Sequence, residues 1–192
     1  MKVSGKLLLH TCCGPCVIYP LQVLEKKYEI TAFFYNPNIF PKSEYLKRQV
    51  TMENYLEDKK IPILFAQPRE TYDDFLKSVE GNEDRRCEIC YHIRLETTAR
   101  RAIEEGFDKI SSTLLYSIYM KHKKLKEIAV DIANRYKIDF VYEDFRKGWK
   151  IGVQESLKIG MYRQKYCGCS FSLEERNQRI MEKERKKRGV KQ

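Results

Sequence analysis

Three observations predict a doubly wound α/β fold, with a mainly parallel five-stranded sheet and a helical C-terminal extension. Short apolar runs alternate with amphipathic segments through most of the chain. The segments between runs are long enough for crossovers, which favours parallel strands and right-handed connections. Beyond Gly148 the alternation stops and a basic, helical pattern follows.

Lys6 to Thr11 reads as a short buried strand. Pro15, at a first helical turn, opens an amphipathic helix carrying Val17, Ile18, Leu21 and Leu24. Ile30 to Tyr35 is a second strand, ended by Asn36-Pro37-Asn38, after which Ser43 is expected to cap a helix through Tyr45, Leu46, Val50, Met52 and Leu56. Ile61 to Ala66 is a third strand. A short helix over Asp74 to Val79 precedes Gly81-Asn82, and a long helix carries Cys87, Cys90, Ile93, Leu95 and Ala99 on to Gly106. Asp108 to Leu115 gives a fourth strand, Leu125 to Tyr136 a helix, and Ile138 to Tyr142 a fifth strand. The expected organisation is a single domain over 1–192, Rossmann-like or HUP-like, with a core sheet at about 6–145 and a basic helical extension at about 148–192. Ligands of such sheets bind beyond the carboxyl ends of the strands. Cys12-Cys13, Tyr35-Asn36, Ser112-Thr113 and Asp144-Phe145-Arg146 all fall at that edge.

A chain of 192 residues can bury a core without disulfides or metal to hold it together, so its cysteines are available for chemistry. No apolar run approaches a membrane span, and His10 with the Cys/Pro cluster interrupts what would be a signal peptide. The expectation is a cytoplasmic protein without membrane contact. Thirty-seven Lys and Arg against twenty-seven Asp and Glu leave a charge of +10, concentrated in Glu182-Lys183-Glu184-Arg185-Lys186-Lys187-Arg188 and Lys191. Such a field suits a polyanion, and thirteen tyrosines offer rings for unpaired bases. Charge-rich helices also serve solubility and heat stability alone.

The seven cysteines fall in three short clusters: Cys12, Cys13 and Cys16; Cys87 and Cys90; Cys167 and Cys169. In a reducing compartment this spacing reads as metal-binding or catalytic. Cys13-Gly14-Pro15-Cys16 at a helix N-terminus has the form of a thiol-disulfide oxidoreductase. That chemistry needs neither Cys12 nor the other four. Two Cys pairs suffice for structural zinc, which leaves the opening triplet unexplained. A cubane iron-sulfur cluster takes four thiolates and leaves three for a second metal or for thiol chemistry. Adjacent Cys12 and Cys13 are expected to point apart, one toward the cube and one toward a neighbour. A buried free Cys is otherwise a small hydrophobe, a reading that suits Cys16 and not all seven.

Among other groups, His10 reads as a core residue and His92 as a helix-surface residue. Asp144 is a candidate acid or metal-facing carboxylate, or a helix cap. Tyr35, Tyr116 and Tyr162 are candidate proton donors. Arg48, Arg94, Arg146 and Arg163 lie near the strand-end loops and are candidate phosphate grips, or ion-pair partners. An ATP loop needs a glycine-rich cradle after the first strand, where this chain has sulfur and only Gly14, so ATP is not expected.

Jointly, Cys12-Cys13-Gly14-Pro15-Cys16, Tyr35-Asn36-Pro37-Asn38-Ile39, Arg86-Cys87-Glu88-Ile89-Cys90-Tyr91 with Arg94, Asp144-Phe145-Arg146-Lys147, and Tyr162-Arg163-Gln164 with Tyr166-Cys167-Gly168-Cys169 form a set that resembles the QueH family of epoxyqueuosine reductases. Ser117-Ile118-Tyr119-Met120-Lys121 departs from the family, which more often shows a Pro-containing stretch there. The resemblance implies reduction of the epoxide of epoxyqueuosine, at the tRNA wobble position, to the cyclopentene. It also implies a [4Fe-4S] cluster, a second mononuclear iron, an external electron donor and no cobalamin. On that basis Cys12, Cys87, Cys90 and Cys169 are expected to hold the cube, and Cys13, Cys16 and Cys167 to face the second iron. Cys13, Asp144 and Tyr35 are the expected catalytic groups, with Asn36, Asn38, Arg48, Arg94, Arg146 and Arg163 binding the anticodon stem-loop. The alternatives are a zinc-thiolate RNA-binding module and a thiol-disulfide oxidoreductase through Cys13 and Cys16.

Overall fold

The structure, a computed structural model, describes residues 4–66 and 71–189. Five strands form one parallel sheet in the order β3-β2-β1-β4-β5. They are β1 (Lys6–Thr11), β2 (Glu29–Phe34), β3 (Ile63–Phe65), β4 (Lys109–Ser112) and β5 (Asp139–Phe140). The helices are α1 (Gly14–Leu24), α2 (Lys42–Asp58), α3 (Tyr72–Val79), α4 (Arg86–Glu104), α5 (His122–Tyr136), α6 (Trp149–Lys158) and α7 (Ser170–Gly189).

Strand β1 is central, and Leu7, Leu8 and Leu9 are all fully buried. Consecutive apolar residues suit a parallel strand covered on both faces. Helix α1 packs on α2 and α6, and α4 packs on α5, so the helices form two groups. The chain winds outward from β1 to β3, returns through α3 and α4, and restarts at β4. The order therefore reverses between β1 and β4, which is where a doubly wound sheet opens a crevice.

Strands β3 and β5 are shorter than the sequence implies because each lies at an edge with one neighbour. Strand β4 stops at Ser112, whose Oγ accepts from the Leu114 N–H at 3.1 Å and turns Thr113–Tyr116 into a 3₁₀ segment. Helix α2 begins one residue before Ser43, with Pro41 at its cap position and no capping side chain, so the expected Ser43 cap is corrected. Thr71 and Asp74 build a capping box that starts α3 at Tyr72. The extension is two helices separated by an irregular stretch that carries Tyr162 to Cys169, and its last residues, 190–192, lie outside the described residues.

Candidate metal centre

The crevice between β1 and β4 is lined by sulfur. Cys12 follows β1, Cys13 is the extended residue before α1, and Cys16 lies in the helix's first turn. All three are buried and their Sγ atoms lie within 4.8 Å of one another, with Cys12 and Cys13 Sγ 3.7 Å apart. The expectation that Cys12 and Cys13 point apart is thus overturned. Alternation of side chains belongs to a strand, and the chain has left β1 at Thr11 and enters α1 at Gly14. A Cβ on Gly14 would lie 2.8 Å from Thr51 Cγ2 and 2.9 Å from Met161 Sδ, so glycine lets the turn pack this closely.

Thr113, at the exit of β4, completes the junction. Its Oγ1 accepts from the Cys12 N–H at 3.2 Å and donates to Cys12 Sγ at 3.4 Å. Hydrogen bonds from Cys13 and Cys16, with help from the Arg94 charge and Thr113, hold the Cys12 thiol well below its ordinary range despite burial. Burial, and then donation to Cys12, pushes Cys13 up, while donation to Cys12 and Cys13 and then burial push Cys16 up. Gln164 donates from Nε2 to Cys13 Sγ at 2.9 Å and to Cys16 Sγ at 3.3 Å. Neither Thr113 nor Gln164 was singled out as a site residue from sequence. Thr113 at a strand end and Gln164 inside the Tyr162-Arg163-Gln164 motif were the available signals.

The other four thiols, Cys87, Cys90, Cys167 and Cys169, influence one another by charge but gather less tightly, since among the described residues only Cys12, Cys13 and Cys16 close to within 4.8 Å. Cys90 and Cys169 share a small apolar cluster with Phe75 and Val79 of α3. Cys87 lies one turn before Cys90 on α4, and burial first, then the charges of neighbouring cysteines, raise the thiol pKa of Cys87, Cys90 and Cys167. Cys167 keeps an exposed face. Arg48 straps the C-x-C segment to α2, donating to the carbonyls of Cys167 at 2.7 Å and Tyr166 at 3.1 Å and pairing with Glu44 at 2.7 Å. The Phe40 N–H donates to Gly168 O at 2.9 Å, and the Ser170 N–H to Tyr72 Oη at 2.9 Å.

Arg94 lies between the two groups, 2 % exposed. It donates to Asn36 Oδ1 at 2.6 Å and Cys90 Sγ at 3.7 Å, and its Nε lies 3.3 Å from His10 Nε2. Among the described residues no carboxylate pairs with it. Sulfur offsets the burial of its charge: the Cys12 thiol, held low, and negative charge at Cys90 favour the charged guanidinium. Burial and the Arg94 charge hold His10 well below the usual histidine range, so the ring is neutral.

Several expected site residues are committed inward. Arg48 and Arg94 are each 2 % exposed and their guanidiniums serve protein groups rather than a surface phosphate. Asn36 donates to Thr11 O at 3.0 Å as well as accepting from Arg94. Asp144 is clamped by Arg146, Nε to Oδ1 at 2.8 Å and NH2 to Oδ2 at 2.7 Å, and this pair holds its carboxyl down to about 2. An acid so strong carries no proton to give near neutral pH, which corrects the expected proton-donor role of Asp144; it caps the short turn at Phe145–Gly148 instead. Tyr116 donates to Trp149 O at 3.0 Å, and burial raises its pKa far above the tyrosine range. Tyr162 donates to Glu44, and burial and that carboxylate push it up to about 12. Tyr35 Oη, Asn38 Oδ1 and Gln164 Oε1 are buried with no hydrogen-bond partner. Arg163 is half-buried and has no ion pair among the described residues.

The donors fit metal. Thiolates sharing one tetrahedral ion at about 2.3 Å stand about 3.8 Å apart, close to the Cys12–Cys13 spacing. Thiolates on different irons of a cube stand farther apart, as the looser group allows.

A family model described as epoxyqueuosine reductase QueH matches residues 7–175. Curated relatives of that name include one from Thermotoga maritima, 34 % identical over 192 aligned positions that cover 95 % of this chain and 98 % of the relative. One from Dehalococcoides mccartyi is 33 % identical, covering 91 % and 96 %, and one from Streptococcus pyogenes is 30 % identical, covering 89 % and 71 %. Among solved structures, the U34-tRNA thiolase NcsA from Methanococcus maripaludis with its [4Fe-4S] cluster aligns at a TM-score of 0.40 and 15 % identity, over 87 % of this chain and 76 % of that one. With the motifs, the thiol-lined crevice and a match over most of its length, the chain belongs to the QueH family of epoxyqueuosine reductases.

Proposed function

We propose that this protein reduces the epoxide of epoxyqueuosine, in the wobble nucleotide of a tRNA, to the cyclopentene of queuosine. The balance is one epoxide, two electrons from an external donor and two protons, giving one alkene and one water. The observation that carries this reading is the buried triad of Cys12, Cys13 and Cys16, gathered within 4.8 Å, beside a buried Arg94 that also feels the charges of Cys90 and Cys167. In this reading Cys87, Cys90, Cys167 and Cys169 hold a [4Fe-4S] cluster, and Cys12, Cys13 and Cys16 hold a second iron. Cys12 and Cys167 thereby exchange the places expected from sequence, because the Cys12 sulfur is within 4.8 Å of Cys13 and Cys16. When bound, the cluster contributes one-electron transfer and the second iron Lewis acidity.

The chain's own residues do the rest. Arg94 balances the negative charge of the thiolates from inside the fold. Thr113 and Gln164 fix the sulfurs of the triad by hydrogen bonds. Tyr35, with a buried hydroxyl that has no partner, holds a proton at Oη for delivery to the site. Asn38 and Arg163 contact substrate, Arg146 acts through Asp144, and the basic face of α7 attracts the RNA backbone. No helix among the described residues is long and apolar enough to cross a membrane. The reading uses neither ATP nor cobalamin and places the protein with tRNA in the cytoplasm.

The test is iron and acid-labile sulfide per chain in anaerobically purified protein, followed by single-turnover conversion of an epoxyqueuosine-containing tRNA. About four sulfides with about five irons is the expectation for a cube and one further iron. Cys13→Ser should keep the sulfide and lose about one iron, whereas Cys167→Ser should lose sulfide. Zinc without sulfide, or no conversion by fully loaded protein, would overturn the assignment.

A further inference from the structure

Beside the triad lies a small cavity lined by Pro15, Cys16, Tyr116, Trp149, Val153, Ser156, Arg163 and Gln164. Its volume is about 50 Å³. A cavity of about 150 Å³ takes benzene, so this one takes two or three heavy atoms. A nucleobase does not fit in it; an oxirane-sized group does.

The walls are built for that purpose. Trp149 packs against Tyr116 with ring centres 5.2 Å apart, and Tyr119, 77 % exposed, meets Trp149 edge-on at 5.7 Å. Gly152 makes this possible, since a Cβ there would collide with the Tyr116 hydroxyl. Trp149 lines the cavity, and Tyr119, nearly perpendicular to it, stands beside the cavity as an exposed ring on which a flat base can stack. Arg163, half-buried and without an ion pair among the described residues, supplies a cation. Gln164 supplies an acceptor. Sulfur ligands of a metal only accept hydrogen bonds, so the Gln164 amide must turn Nε2 toward Cys13 and Cys16, and Oε1 is then held away from them with no partner of its own. A buried carbonyl left in that state is unsatisfied until a donor arrives.

We propose that this cavity seats the epoxide edge of the substrate's five-carbon ring, the rest of the ring lying at its mouth, with the attached base against Tyr119 and a substrate hydroxyl donating to Gln164 Oε1. The inference rests on the reductase reading and goes further by naming the residues that recognise the modified ring. Cys16 is a wall of both the cavity and the triad, so a group seated there lies directly against the sulfur centre.

Trp149 is the only tryptophan, so its emission reports on this site alone. Anaerobic protein, with no reductant added, is titrated with two anticodon stem-loops that carry epoxyqueuosine or guanosine at the wobble position, and binding is measured in parallel by filter retention. The epoxyqueuosine RNA should change Trp149 emission and bind at least about tenfold more tightly, a difference of about 1.4 kcal/mol. Val153→Phe fills the cavity without touching a thiol, and Gln164→Leu removes the acceptor. Each should abolish the preference while leaving guanosine-RNA affinity unchanged, and Val153→Phe, which touches no triad hydrogen bond, should also leave iron and sulfide content unchanged. Equal binding of both RNAs, or a preference that survives both substitutions, would overturn the cavity assignment alone. If neither RNA binds, the tRNA reading falls and this inference with it.

Discussion

Arg94 and Cys90 sit one helical turn apart on α4, NH1 to Sγ at 3.7 Å, and both are buried. A guanidinium in the interior without a carboxylate is costly unless anions are supplied, and here the anions are sulfurs. The arrangement favours negative charge on the sulfurs beside Arg94. At an effective dielectric of about 20, two unit charges about 4 Å apart interact by about 4 kcal/mol, so even a fraction of this matters to a redox group.

Replacing Arg94 with Met removes a positive charge that favours the more reduced, more negative form of the centre. Its reduction potential should fall by at least about 60 mV, the one-electron equivalent of about 1.4 kcal/mol. Arg94→Lys, which keeps the charge and loses the contact with Asn36, should recover most of the shift. An unchanged potential in a fully loaded Met variant, measured by anaerobic redox titration, would remove Arg94 from the electrostatics of the centre.

Gly168 separates Cys167 from Cys169 at φ +152°, a conformation L side chains rarely adopt. A Cβ there would also lie 3.0 Å from Asn38 Nδ2, 3.2 Å from Ile39 Cγ1 and 3.4 Å from Arg48 NH1. Gly168→Ala should cost about 1–3 kcal/mol in backbone strain and shift one or both sulfurs. Sulfide content should drop well below that of the parent protein, with far-UV circular dichroism unchanged. Full sulfide content would show that the C-x-C segment tolerates the displacement.

The α/β alternation, the parallel sheet and the strand-to-helix position of the first cysteines are all legible in sequence, because they depend on local periodicity and on connection length. The gathering of Cys12 with Cys13 is not, since it arises where strand geometry gives way to a helix and neither period applies. Nor is the burial of Arg48 and Arg94. Beyond the i,i+4 neighbours Glu44 and Cys90, their partners are two backbone carbonyls of a distant loop, Asn36 and sulfurs from other parts of the chain, which no spacing rule connects. Asp144 illustrates the same limit: a carboxylate at a strand exit looks free until Arg146 is seen to fold back on it.

Asp144 is ionised at every pH at which the enzyme would work, because the Arg146 pair holds its carboxyl at about 2. Loss of a true general acid costs about 10²–10⁴-fold. Asp144→Asn should instead slow single-turnover epoxide reduction less than about tenfold, and the pH–rate profile of the parent should show no limb near 4, the ordinary Asp range. A hundredfold loss rescued by Glu would restore Asp144 to the chemistry.

His10 is buried as the neutral ring, its pKa lowered first by burial and then by the Arg94 charge. The unfolded chain binds a proton at His10 below about pH 6.5 that the folded chain does not, so stability falls as pH falls through that value. The penalty grows by up to about 1.4 kcal/mol per pH unit until the folded pKa is reached. Paired urea midpoints at pH 7.5 and 5.5 should therefore diverge more for the parent than for His10→Gln. Equal divergence would mean that other groups carry the acid sensitivity.

Helix α7 is exposed along most of its length, and Lys183, Arg185, Lys186 and Lys187 form no ion pair among the described residues. Arg179, by contrast, is paired with Glu175. Unpaired cations on one projecting helix are free to displace counterions from a phosphate backbone, and each such contact adds roughly 0.7–0.9 to the slope of log affinity against log salt. Changing these four residues to Gln should lower that slope by about 3 and weaken tRNA binding at physiological salt. The rate at saturating tRNA should not change, because these four cations, unlike Glu175 with its ion pair to Arg86, make none of the contacts that position the thiols. If the slope is unaltered, the RNA enters by another face, and Arg163 and Trp149, which line the cavity beside Cys16, become the place to look for it.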